Sequence, residues 1–352
     1  MKKSKVFAFA GVTLLAATFL AACSGSKDSK SASKKDTTYG YVYNDDPTTL
    51  DYTVSSKASV HDITTNGVDG LLANDKYGNL VPSIAEDWSV SKDGLTYTYK
   101  IRKGVKWYDA DGEEHGEVTA HDFVTGLKHA ADKKSESLPL VKDSIKGLKD
   151  YSEGKISDFS EVGVKAVDDY TLEYTLNQPE TFWNSKTTNG VLFPISTDFL
   201  KSKGDEFGQP GNVKSILFNG PFLLKSITSK SEITFEKNEE YWDKDNVHID
   251  KIKFSYYDGS DQDSLARGFS DGSYSQARLF PASSNFASVE KKYKDNIYNT
   301  QPGSGVAVLG FNIDRQAYNH TSKTSDDQKS STKKAILNKN FRQAITFALN
   351  RE

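Results

Sequence analysis

The sequence predicts an α/β fold built on mixed sheets, and three features carry that prediction. Short segments alternate aromatic or β-branched residues with polar ones, as strands with one buried face do. Between them lie stretches with apolar residues three and four apart, the spacing of amphipathic helices. Asp-Gly and Asn/Asp-rich turns punctuate the two kinds. No internal repeat is detectable, and 352 residues leave room for two domains, each able to bury a core.

Taken in order, Thr38 to Tyr43 reads as a first strand, broken by Asp45-Asp46-Pro47. From Lys57 to Leu72 the residues Val60, Ile63, Thr64, Val68 and Leu71 fall on one helical face, which predicts a helix. Asn74 to Asn79 is turn chemistry. Trp88 to Ile101 reads as a hairpin turning at Asp93-Gly94, with Leu95, Tyr97, Tyr99 and Ile101 on one face of the returning strand. A second turn, Asp109 to Gly112, follows Val105-Lys106-Trp107. Thr119 is a good N-cap for a helix through Phe123, Val124, Leu127 and Lys128, with Asp122 placed as in a capping box.

Val162 to Ala166 and Thr171 to Thr175 are two further strands, joined at Asp168-Asp169. Asn219 to Leu224, Glu232 to Glu236 and Ile252 to Tyr256 form another sheet region. Asn319 to Lys334 reads as a polar, exposed excursion, and Phe341 to Leu349 as an amphipathic helix.

The N-terminus is a processing signal rather than part of the fold. A basic stub, Met1 to Lys5, precedes an apolar run from Val6 to Leu20, which is too short for the ~20 residues of a comfortable membrane span. Leu20-Ala21-Ala22-Cys23 then follows the pattern of a bacterial lipobox, in which the thiol receives diacylglycerol and becomes the mature N-terminus. Cys23 is the only cysteine in the chain, so the rest must be stable without disulfides. Ser24 to Lys35 lacks any large apolar residue and reads as a tether.

Composition narrows the function classes. A net charge of -3 gives no electrostatic footprint for nucleic acid. A mean hydropathy of -0.61 fits an otherwise aqueous chain. Asp109-x-Asp111-Gly112-x-Glu114 lacks the ligand spacing of a calcium loop, and the six-residue gap between His115 and His121 suits no zinc signature. Gly303-x-Gly305 with Gly310 lacks the third glycine of a dinucleotide fingerprint and faces a strand-like Val-Ala-Val-Leu. No nucleophile elbow or phosphate-binding Gly-Lys-Ser/Thr occurs. The expectation is a protein without enzyme activity, metal or cofactor.

Seven motifs then follow one another: Ala85-Glu86-Asp87-Trp88, Asp93-Gly94-x-x-Tyr97, Ile101-Arg102-x-Gly104-Val105-Lys106-Trp107, Val118-Thr119-Ala120-x-Asp122, Asn219-Gly220-Pro221-Phe222, Lys237-Asn238-Glu239-Glu240-Tyr241-Trp242 and Phe341-Arg342-Gln343-Ala344-Ile345. In this order they resemble the oligopeptide-binding lipoproteins of ABC importers, the family-5 extracellular solute-binding proteins. The stretched Trp107-Tyr108-Asp109-Ala110-Asp111-Gly112 with Glu113-Glu114 is similar to the Ami/Ali type found in Gram-positive bacteria.

That resemblance implies a periplasmic-binding-protein-like, multi-lobe fold. Behind a signal peptide (1–22) and a lipidated Cys23 with its tether (23–36), lobe I would comprise 37–69 and 196–310, and lobe II 70–195. A crossover strand would fall at Gly310 to Arg315, and 311–352 would begin lobe III. The family continues beyond the position of Glu352, so the resemblance predicts an incomplete third lobe and weak peptide binding by the isolated chain. The implied partners are oligopeptides, a membrane permease with its cytoplasmic ATPase, and the outer face of the cell membrane through a lipid anchor, with the protein itself a monomer. Ser56, Lys57 and Ala58, and Arg278, Leu279 and Phe280, fall where family members line the cleft. A surface ion pair for Arg278 and a core position for Phe280 are the competing readings. Rival functions are a surface peptide sensor or adhesin without transport, and a glycan-binding lipoprotein.

Overall fold

A computed structural model describes residues 37–281, 283–298, 308–319 and 321–349. The leader, Cys23, the tether and the Gly303-x-Gly305 pattern lie outside the described residues. The chain divides into one unit up to Ala287 and a second from Ser288 onward.

In the first unit, β1 (Thr38–Tyr43) leads through an irregular loop to α1 (Ala58–Thr64). A short ribbon, β2 (Leu72–Asn74) and β3 (Leu80–Pro82), turns on Asp75 to Asn79, where Gly78 takes the positive φ of 82° that the turn needs. The hairpin β4 (Ala85–Val90) and β5 (Thr96–Ile101) turns at Gly94, φ 72°. A second ribbon, β6 (Lys106–Tyr108) and β7 (Glu114–Glu117), precedes α2 (Ala120–Asp132). Then come α3 (Leu148–Ser152), β8 (Val164–Asp168), β9 (Thr171–Thr175), α4 (Trp183–Lys186) and α5 (Thr197–Lys203). The unit closes with β10 (Phe222–Thr228), β11 (Glu232–Lys237), β12 (Lys251–Tyr256) and α6 (Gln262–Ser270).

Apart from the two ribbons, these strands make two four-stranded sheets, ordered β1-β12-β11-β10 and β4-β5-β9-β8. Each has its own hydrophobic core. Trp107, Trp183, Tyr99, Tyr174, Phe123 and Leu127 fill the one under α2, drawn almost wholly from residues 71–192. Leu50, Tyr52, Ile63, Phe193, Phe218 and Phe235 fill the other, whose residues come from 43–68, 108–110 and 193–252. The mixed α/β class predicted from the sequence is therefore the class observed, with β1 parallel to β12 and the remaining ladders antiparallel.

Two expectations are corrected. The helix predicted to Leu72 ends at Thr64, although Val68 and Leu71 are buried as the periodicity demanded. The chain leaves the helix because the carbonyls of Asn66 and Gly67 accept from Phe222, Asn219 and Gly220, and Gly67 packs where a Cβ would stand 2.7 Å from the Phe218 ring. The supposed crossover at Gly310 to Arg315 belongs to none of the described strands; it carries a turn at Ile313-Asp314. The stretch from Asn319 to Lys334 is mostly exposed over its described residues, as expected, and from Asp326 onward it is helical.

After α7 (Phe286–Lys292), the second unit contains α8 (Asp326–Leu337) and α9 (Lys339–Ala348). A capping box starts α8: Ser325 Oγ accepts from the Gln328 amide at 3.3 Å, and Gln328 Oε1 accepts from the Ser325 amide at 3.3 Å. Asn338 caps α9 through the amides of Asn340 and Phe341. The predicted amphipathic helix is thus present, with Phe341, Phe347 and Leu349 exposed. No described helix is long and apolar enough to cross a membrane.

Candidate functional site

The loop from Pro47 to Lys57 has no regular structure of its own, so its shape depends on side chains around it. Asp51 folds its first half: its Oδ1 accepts from the amide and hydroxyl of Thr53 at 3.1 and 2.8 Å, a local side-chain turn. The other oxygen accepts from His129 Nε2 on α2 at 2.7 Å, with both side chains buried. Tyr52 is fully buried and donates to Pro194 O at 2.8 Å.

The second half is clasped by the residues that follow α2. Ser135 Oγ donates to Thr53 O at 2.7 Å, the Glu136 amide to Val54 O at 2.9 Å, and Ser137 Oγ to Ser55 O at 3.3 Å. Ser56 returns two bonds, its amide and its hydroxyl both donating to Glu136 Oε2 at 3.0 Å. Those bonds, the amide's first, hold the Glu136 carboxyl below its ordinary range. The turn that delivers this run is a Schellman motif: the Ser135 amide reaches Ala130 O and the Lys134 amide Ala131 O, with Lys134 left-handed at φ 55°.

Ser56, Lys57 and Ala58 therefore sit exposed on an anchored base at the start of α1. Lys57 Nζ reaches Thr48 Oγ1 at 3.3 Å, and His61 Nε2 meets Ser55 O at 2.9 Å. Beside them a groove of about 550 Å³ runs between β1 and α1, lined by Ala58, Tyr39, Tyr41, Tyr43, Asp45 and Asp62 among others. Burial, and after it the hydrogen bond to Asp46, push the Tyr43 phenol up to about 12. Burial likewise raises Tyr39, and the Tyr43 hydroxyl donates to Asp46 Oδ1 at 3.1 Å while accepting the Ser231 amide at 3.3 Å.

Arg278, Leu279 and Phe280 are placed by the edge of β1. Residues 273–276 run along it, with Gly40 N donating to Ser275 Oγ at 3.0 Å and the Ser275 amide to Gly40 O at 2.8 Å. A side chain at Gly40 would put its Cβ 2.2 Å from Ser273 O, so only glycine admits this approach. The Arg278 guanidinium stacks over the Phe280 ring at 4.9 Å. Arg278 is exposed, Leu279 and Phe280 half-buried. Ala58 lines the β1–α1 groove and these three do not.

Sequence reading missed the residues that hold the loop: Asp51, His129, Ser135, Glu136 and Ser137. One local signal was available, since a Ser-x-Ser run directly after a helix offers hydroxyls that favour backbone partners. It also missed a polar cluster where the two cores meet. There Tyr241 donates to Asp69 Oδ2 at 2.7 Å and the Arg102 guanidinium stacks on Trp242 at 4.0 Å. Enclosure of the Asp69 carboxyl pushes its pKa up to about 6. The histidines weighed as metal ligands pair with surface carboxylates instead, His115 with Asp109 and His121 with Asp169.

Comparison with known proteins gives this architecture its relatives. AmiA of Streptococcus pneumoniae serotype 4, an oligopeptide-binding protein, is 64% identical over 351 residues, covering 100% of this chain and 53% of AmiA. SarA of Streptococcus gordonii, also an oligopeptide-binding protein, is 61% identical over 354 residues, covering 100% of this chain and 53% of SarA. The chain thus spans about half the length of the curated relatives it matches. Among solved structures, OppA of Listeria monocytogenes bound to peptide superposes with a TM-score of 0.65 at 30% identity, over 74% of this chain and 49% of OppA. Residues 79–352 match the family described as bacterial extracellular solute-binding proteins, family 5 Middle, and the chain belongs to that family.

Proposed function

We propose that this chain is an oligopeptide-binding component of an ABC importer, held outside the cell by lipid on Cys23 and delivering peptides to a membrane permease powered by a cytoplasmic ATPase. One observation carries the reading: the 64% identity to an oligopeptide-binding protein runs through the whole chain rather than one motif. The geometry supports it. An exposed, clasped loop at Ser56–Ala58 beside a tyrosine-lined groove suits an extended ligand held largely through its backbone, so that side-chain identity matters little. No step of catalysis is assigned.

In this reading residues 37–69 and 196–310 form lobe I, 70–195 lobe II, and 311–352 the start of lobe III. Core membership supports the first boundaries, since it changes between Val68 and Leu71 and again between Leu192 and Phe193, with Tyr108 and Ala110 joining the lobe I core and Leu217 the lobe II core. Arg278, Leu279 and Phe280 contribute a second patch of the ligand surface on lobe I.

The test is calorimetry on this chain completed with the part of pneumococcal AmiA that the match leaves uncovered, titrated with a pool of short peptides. Micromolar binding is expected. No heat from the pool, where AmiA itself gives it, sinks the reading, and binding of sugars in place of peptides replaces it.

A further inference from the structure

An exposed loop end is ordinarily mobile, because few contacts oppose its entropy. Ser56 is exposed, yet both of its donors are taken by one carboxylate oxygen from a segment 80 residues away in sequence. The backbone that carries this exposed carboxylate is itself tied to the loop. The hydroxyls of Ser135 and Ser137 on either side are buried against the loop's carbonyls, and the Glu136 amide is bonded to Val54 O. A charged acceptor makes stronger bonds than a neutral one, and the amide and the hydroxyl together tie Ser56 to it at two points.

We infer that Glu136 is a positioning residue for the ligand loop: by accepting the amide and hydroxyl of Ser56 it fixes the Ser56–Ala58 backbone in the conformation that meets an extended ligand. Glu136 touches no ligand in this arrangement. It removes the ordering cost that a loose loop would add to binding, which is how preorganisation raises affinity. The inference rests on the assignment of Ser56–Ala58 to the peptide site.

Three proteins decide it: wild type, Glu136→Ala, and Glu136→Gln, which keeps an acceptor oxygen. In the 352-residue chain, amide exchange at Ser56 and Lys57 is expected to quicken about tenfold in Glu136→Ala, with the thermal midpoint unmoved. In the AmiA-completed protein the same variant is expected to bind the peptide pool about tenfold more weakly, and Glu136→Gln to recover most of both losses. Unchanged exchange at Ser56 in Glu136→Ala overturns the inference. So does faster exchange with unchanged peptide affinity, and so does a lowered midpoint with faster exchange throughout, which makes Glu136 a support of the fold. A wild-type completed protein that takes no peptide overturns the functional reading beneath the inference, and the inference with it.

Discussion

The indole Nε1 of Trp107 donates to Oδ2 of Asp122 at 3.1 Å, and that one carboxylate joins three parts of the fold. The same oxygen accepts the Thr119 amide that opens α2, and the other accepts the Thr197 amide that opens α5. Burial raises the Asp122 pKa, while its donors act the other way. Trp107 itself is buried in the core under α2. Trp107→Ala should therefore cost ~3–5 kcal/mol, the range for deleting a large buried aromatic. Trp107→Phe should fill part of the space and still cost ~1–3 kcal/mol by leaving Asp122 short of a donor. Chemical denaturation measures both, and a loss below ~1 kcal/mol for the alanine variant contradicts the placement.

The Asp69 carboxyl titrates at about 6 in the fold, raised by its enclosure from an ordinary value of 3.8. A raised carboxyl binds its proton more tightly when folded, so its stabilisation is greatest at low pH and is lost as pH rises from about 4 through 6. Asp69→Asn removes that dependence while its amide oxygen still accepts from Tyr241. The wild-type minus variant difference in unfolding free energy should fall steadily across that window and then level off. A flat difference curve, or one rising with pH, contradicts the enclosure.

Lys134 occupies the left-handed position of the Schellman turn that launches Ser135–Ser137, at φ 55°. A side chain there carries a steric penalty that glycine escapes. Lys134→Gly should stabilise the protein by ~0.5–1 kcal/mol in thermal or chemical unfolding. Destabilisation would show that the lysine side chain holds the turn by contacts of its own.

Cys23 lies outside the described residues, and its role is tested in cells. Cys23→Ala should abolish metabolic labelling with palmitate and release the protein into the medium or leave it unprocessed. Equal label on mutant and parent removes the lipid anchor from the functional reading.

What the sequence made legible is local. Asp93-Gly94 announced its hairpin because that turn requires a positive φ at the glycine, and the alternation of Tyr97, Tyr99 and Ile101 announced the buried face. Thr119 and Asp122 marked the start of α2 by capping chemistry confined to one turn. The overrun of α1 has the opposite origin. Val68 and Leu71 keep the helical period because both are buried, but the backbone there bonds to residues 219–222, which no local pattern reveals. In the polar stretch that reads as an excursion, Ser325 and Gln328 were a capping signal passed over in favour of composition. At the candidate site, Ser56–Ala58 was found through family resemblance, whereas Glu136 is brought to it only by the fold.

The pairing of β1 with β12 has a consequence for the order in which the protein comes into being. Thr37 and Asp250, bonded at the start of that ladder, are 213 residues apart in sequence. Whether the chain emerges from the ribosome or from an export channel, β1 leaves first and waits for its partner until nearly all of this unit is out. The core drawn from residues 71–192 has no such wait, and its hairpins and α2 close within short contour lengths. At usual synthesis rates the first strand is without β12 for roughly 10–40 s. Through that interval Tyr39, Tyr41 and Tyr43 sit on an unpaired strand, the kind of edge that invites partners from other chains. The tyrosine-lined groove, which has β1 as one wall, thus matures later than the core under α2.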